Sequence, residues 1–212
     1  MKLIKLTDKN GRTGPEKDMQ WGEKTTNTVK IRGRTLCSKE LIHAYTNAYL
    51  AILLNPIYGD YDEKTMLAWE AKGRVVARDG IKVGCKSLTT IKQIAKPTLT
   101  TEQRVEIGIR CAMKIYSEAS FIKWANNWLD NKDKTAWTAV CAYKAIVKDT
   151  DLASWACWVV WSAAWSAAGT RVDVAAWVAA WAAARAADAA IKAVGSATDK
   201  LDIVHIIESV VV

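Results

Sequence analysis

The residues best equipped for chemistry stand in the first half of the chain. His43 and Tyr45 are two apart in Leu41-Ile42-His43-Ala44-Tyr45, and Trp69 and Glu70 adjoin ahead of Arg74. Trp21 opens a Trp-Gly-Glu phrase, and Asn55 precedes Pro56. Rings, hydrogen-bonding groups and a guanidinium in such short phrases match what a phosphorylated, base-bearing ligand requires. Trp21 and Trp69 would stack on the base, each worth about 1–3 kcal/mol. Arg74 would meet phosphate through paired N–H groups. His43, Asn55 and Glu70 would hydrogen-bond ribose or base edges, with Tyr45 beside them. The ligand-binding set is therefore Trp21, His43, Tyr45, Asn55, Trp69, Glu70 and Arg74, backed by the cations Arg32, Arg34, Arg78, Lys82 and Lys86 and the ring of Tyr58. The plain alternative for each member is sheet packing or turn capping.

Catalytic machinery is harder to find. There is no P-loop, no GxGxxG, and no Ser-His-Asp spacing. His43 and His205 are far apart, and the five cysteines, Cys37, Cys85, Cys111, Cys141 and Cys157, form no CxxC pair. A zinc site is not expected, no cofactor is implied, and no metal ligand set stands out. The odd, irregular cysteines and an N-terminus without an apolar signal core point to free, mostly buried thiols in a reducing cytoplasm.

Charge is asymmetric. Residues 1–97 carry 18 Lys+Arg against 10 Asp+Glu, whereas residues 98–212 carry 12 of each, so the formal net charge of +8 belongs to the first half. The reading is either a solvated basic surface or an anionic partner. No strongly basic helix or RNA-binding phrase occurs, which argues against nucleic acid and for a small anionic, nucleotide-like ligand.

The elements that must position these residues change character near Pro97. Before it, short apolar runs are cut by turn signals. Residues 2–6, 26–33, 41–45, 66–77 and 87–95 read as strands, and residues 46–56 as one short helix ended by Asn55-Pro56. After it, the period is helical. Thr100 with Gln103 forms a capping box ahead of a helix reaching about Tyr116. Helices over 117–130 and 135–147 follow. A fourth is capped by Thr150-Asp151 and ended by Gly169, and a fifth is capped by Thr170 with Asp173 and ended by Gly195. Residues 198–212 suit a sixth helix or a strand. The fold class is α+β: a mostly antiparallel sheet module over 1–97, then an antiparallel Ala/Trp-rich helical array over 98–212.

Within that array Trp155, Trp158, Trp161 and Trp165 step by three, three and four residues, and no charge lies between Asp151 and Arg171. The stretch is just long enough to cross a bilayer, but it is dominated by small residues and lacks a one-sided basic flank. The expectation is no membrane span and a buried tryptophan stripe in a small-residue bundle, with Trp161 in the core. Homo-oligomerisation stays open.

"LTDKNGRT", "QWGE", "LCSKELIHAY", "LAILLNPIYGDY", "LAWEAKG" and "KVGCKSLTTIKQI", followed by "TTEQRVEIGIRCAMKIY", carry a resemblance across nearly the whole chain. They resemble the N-terminal module and following helix of a family of tailed-phage proteins of unassigned activity. The Ala/Trp-rich region is similar to the helical repeats of bacterial immunity proteins. The resemblance implies a phage protein acting in the host cytoplasm: a virion component, a host-takeover factor or a counter-defence protein. With the binding equipment above, the leading expectation is a non-catalytic protein that sequesters a nucleotide immune signal. A second reading is an ADP-ribosyltransferase-like or nucleotide-cleaving enzyme, since His43, Tyr45 and Glu70 are similar in type to the His, Tyr and Glu of ADP-ribosyltransferase-like folds. A third is a structural or protein-interaction module. The expected site lies on the first half, near its seam with the helical array.

Overall fold

Alternating and doubly buried strands build the first unit. The computed structural model describes residues 1–13, 19–30, 32–36, 38–146, 153–167, 172–194 and 202–211. The chain divides into two compact units, Met1–Thr98 and Leu99–Val212. Strand β1 (Leu3–Thr7) is buried along its whole length. It pairs antiparallel with β6 (Leu67–Arg78), from Leu3 opposite Ala71 to Thr7 opposite Leu67. The turn Asp79-Gly80-Ile81 returns the chain as β7 (Val83–Ile94). The far edge of β7 takes β5 (Ile42–Ala44) at Val83–Cys85 and β4 (Thr26–Thr28) at Ser87–Thr89, again antiparallel. A separate ribbon joins β2 (Arg12–Thr13) to β3 (Met19–Gln20).

The sheet curls until its ends meet. Tyr45, just beyond β5, exchanges both backbone hydrogen bonds with Ile4 of β1, at 2.8 and 2.9 Å. Register irregularities along β6 and β7, the first between Glu70 and Ala71, supply the bend. The concave side encloses Leu3, Trp21, Ile42, Ala44, Ala71, Val83, Cys85 and Leu88. Burying each large aliphatic of this group contributes about 1.5–3 kcal/mol.

Helix α1 (Ala48–Tyr58) packs against β1. Asn47 caps it by accepting from the amides of Tyr49 and Leu50. The sequence predicts an end at Asn55-Pro56, but the helix continues to Tyr58 with Pro56 inside. The buried Asn55 side chain explains this. It donates to the Tyr61 carbonyl at 2.8 Å and accepts from the Tyr61 amide at 3.2 Å, and its own carbonyl accepts from Gly59 and Asp60. Asn55 is held helical by the loop that follows, against the usual preference of a residue before proline.

The second unit contains α2 (Thr101–Ala112), α3 (Ala119–Leu129), α4 (Ala136–Ile146), α5 (Ala153–Ala167), α6 (Val172–Val194) and α7 (Ile203–Val211). The Thr100/Gln103 capping box forms as the sequence predicts, though α2 stops four residues before Tyr116. Helix α2 packs against α5, α6 and α7. Its Gly108 permits close approach, since a Cβ there would meet Val159 at 3.2 Å and the Ala183 Cα at 3.4 Å. Residues 198–201 lie outside the described residues, and 203–211 form a helix, not a strand.

The described members of the tryptophan stripe are not core. Trp158 is 52% exposed, Trp161 38% and Trp177 63%. The buried positions beside them are Val159, Val160, Ser162, Ala163 and Ala164. Small and β-branched residues let the backbones approach, and the rings of Trp158, Trp161 and Trp177 are turned outward. Tyr143 covers one edge of Trp161, with ring centroids 5.3 Å apart. The side chains of Trp155 and Trp165, and the expected caps at 150–151, 169–170 and 195, lie outside the described residues, as do Cys37 and the Cys157 side chain. Among the described residues, Val174–Ala193 is the one stretch long and apolar enough to cross a membrane, and 67% of its apolar window is buried within the unit.

Candidate anion-binding site

A cavity of about 1260 Å³ opens on the first unit. Its wall combines Lys5 and Leu6 of β1, the Asp8–Asn10 turn, Lys30, Lys39, His43 and Tyr45 around β5, the Tyr58–Asp62 loop that ends α1, and Lys82 just ahead of β7. The curl of the sheet brings β5 against β1, and the end of α1 and the loop after it deliver Tyr58 and Tyr61 to the same place. Five lysines and three aspartates line it. Two of the aspartates are engaged within their own turns: Asp8 accepts from the amides of Asn10 and Arg12, and Asp62 from that of Lys64.

Two of the lysines are buried, which is rare for this side chain. Lys5 follows the strand alternation that places Leu3, Lys5 and Thr7 on one face. Its ammonium donates to the His43 carbonyl at 2.9 Å and lies 5.3 Å from the centre of the Trp21 ring. Burial lowers its pKa from 10.5 to about 8, so it remains mostly charged at neutral pH. Lys82 lies 3.6 Å from the centre of the Tyr58 ring and 3.3 Å from Asp79 Oδ2. His43 is half-buried. Burial, then the charges of Lys5 and Lys82, lower its pKa to about 4, which makes it a neutral imidazole near pH 7. Burial, with the nearby Asp8, pushes Tyr61 up to about 12, so its hydroxyl stays a donor.

Of the seven residues proposed from sequence, the cavity gathers two, His43 and Tyr45. Trp21 and Trp69 are core rather than stacking platforms. Their indole N–H groups donate to Thr13 Oγ1 at 2.7 Å and Thr7 Oγ1 at 3.1 Å, and both rings are buried. Asn55 is buried with its amide committed to Tyr61. Glu70 pairs with Lys2 at 3.2 Å, and Arg74 is exposed on β6; neither lines the cavity. The His–Tyr–Glu grouping of the transferase reading is thus not brought together there. Sequence reasoning misses Lys5 and Tyr61 and gives Lys82 no special place. The available signal was a lysine inside an otherwise apolar strand, and another between Ile81 and Val83.

No family model, curated protein or solved structure matches this chain. Among the described residues no group of three or more His, Cys, Asp or Glu is placed to hold a metal ion. Cys85 and Cys111 are buried, and Cys141 is exposed; burial pushes the Cys111 thiol up to about 12 and that of Cys85 upward, so neither is a ready nucleophile.

Proposed function

We propose that the first unit binds a small anionic ligand of nucleotide type in this cavity and holds it without converting it. The observation that carries this reading is the pair of buried ammonium groups, Lys5 and Lys82, both near enough to His43 to depress its basicity. Burying a cation is costly unless an anion or a full set of hydrogen bonds compensates it. A phosphate would supply that compensation through short, charge-assisted bonds. Tyr61, whose hydroxyl stays protonated, lines the cavity for the rest of the ligand. The neutral imidazole of His43 suits hydrogen bonding to a ligand better than protonating one.

Joined to the resemblance to tailed-phage proteins, the reading becomes sequestration of a host's nucleotide immune signal in the host cytoplasm. Calorimetry against cyclic dinucleotides and cyclic and linear ADP-ribose derivatives tests it, with chromatography of each mixture afterwards. The expected result is binding of one class with the ligand recovered intact. Binding of none would leave the interaction-module reading. Recovery of a converted product would establish the enzyme reading instead.

A further inference from the structure

We infer that Lys82 is the seat of the ligand's phosphate and that Asp79 holds this seat in the free protein until the phosphate displaces its carboxylate. This rests on the reading of the cavity given above. Lys82 stands apart from the other anchored lysines of the unit. Lys5 donates to the His43 carbonyl and Lys86 to the Glu40 carbonyl at 2.8 Å. The Lys82 ammonium is buried, its side chain only 2% exposed, and it has no hydrogen-bond partner among the described residues. The nearest anion, Asp79 Oδ2, lies 3.3 Å away outside hydrogen-bonding geometry, and Tyr58 presents a ring face at 3.6 Å from its centre. Three strong donors are thereby kept out of water without acceptors.

Asp79 is built to let go. Its Oδ1 accepts from the amides of Ile81 and Lys82 at 3.0 and 2.8 Å, which fixes the turn around Gly80 at φ +84°. Its Oδ2 takes no part in that turn and is the atom facing Lys82. Because Oδ1 alone carries the turn, the Lys82 ammonium can exchange Oδ2 for a phosphate oxygen with the turn bonds in place. A phosphate brings more charge than a carboxylate and three acceptor oxygens against three N–H groups. Neutral His43 lies on the same cavity wall.

Titration calorimetry with inorganic pyrophosphate and with ADP tests this on the parent, Lys82→Met and Asp79→Asn, with melting temperatures alongside. Lys82→Met is expected to melt near the parent, because losing the pairing with part-exposed Asp79 is offset by removing a buried ammonium that makes no hydrogen bond, and to bind about 10- to 100-fold more weakly. Asp79→Asn keeps the turn-forming oxygen and removes the competing charge, so it is expected to bind several-fold more tightly. That gain would not arise if the pair only braced the fold, and it decides the matter should Lys82→Met fail to fold. Equal binding by parent and Lys82→Met, or weaker binding by Asp79→Asn, overturns the inference and leaves the cavity reading standing. A parent that binds neither probe overturns the inference, and the cavity reading falls with it only if the cyclic dinucleotides and ADP-ribose derivatives also fail to bind.

Discussion

Replacing Lys5 by Met should remove a pH dependence that the parent cannot avoid. The perturbation deletes one ammonium and keeps an unbranched side chain of similar length. In the folded protein the Lys5 pKa is lowered from 10.5 to about 8 by burial. Between those two values the unfolded chain holds a proton that the folded chain has begun to release. Stability contributed by this site therefore rises with pH across the window, and below pH 8 the full burial penalty applies. The drop corresponds to about 3 kcal/mol. Urea unfolding of both proteins from pH 7.5 to 10.5 measures it, with the difference between them cancelling the titration of other groups. The parent should gain up to about 3 kcal/mol relative to Lys5→Met over that range. Two curves that run parallel would refute the placement of Lys5 as a buried charge.

Three further outcomes are expected. His43 gives the acid-side counterpart: the unfolded chain takes up its proton near pH 6.5 and the folded chain only near 4, so stability falls as pH drops through that interval, by less than about 3 kcal/mol because the ring is partly solvated; His43→Gln should flatten this part of the urea profile. Phe121→Ala should cost about 3–5 kcal/mol, since Phe121 is fully buried between Tyr116 and Trp124, whereas Trp161→Ala should cost less, about 2 kcal/mol, because its ring is 38% exposed; chemical denaturation ranks the two. Gly108→Ala should cost about 1–3 kcal/mol by overpacking α2 against Val159 and Ala183, read as a lower melting temperature.

What the sequence discloses depends on how local the cause is. The β6–β7 hairpin is readable because its strands alternate around a short Asp-Gly turn, and the start of α2 because a capping box is complete within four residues. The path of α1 through Pro56 is not readable, because the loop residue Tyr61 holds Asn55 in place. The tryptophan stripe misleads for another reason. Helix α5 has no charged face to mark its outside, so spacing alone cannot say whether alanine or tryptophan faces the neighbours. The candidate site shows the same division. His43 and Tyr45 are legible as a short polar phrase in a strand. Lys5 and Lys82 become partners in one cavity only when the sheet curls enough for Tyr45 to bond Ile4, a contact between residues far apart in sequence. Trp21 and Trp69 look like platforms in isolation, yet their N–H groups meet threonines on other strands and bury them.

The central claim is that the cavity bounded by β1, β5, the end of α1 and Lys82 receives a small anionic ligand. Backbone amide shifts followed by NMR during addition of ADP test it most directly. Saturable shifts are expected at Lys5–Asn10, His43–Tyr45, Tyr58–Asp62 and Lys82, with the helical unit unmoved. Shifts centred on Arg74 and the exposed positions of β6, or none at millimolar ADP, would contradict it.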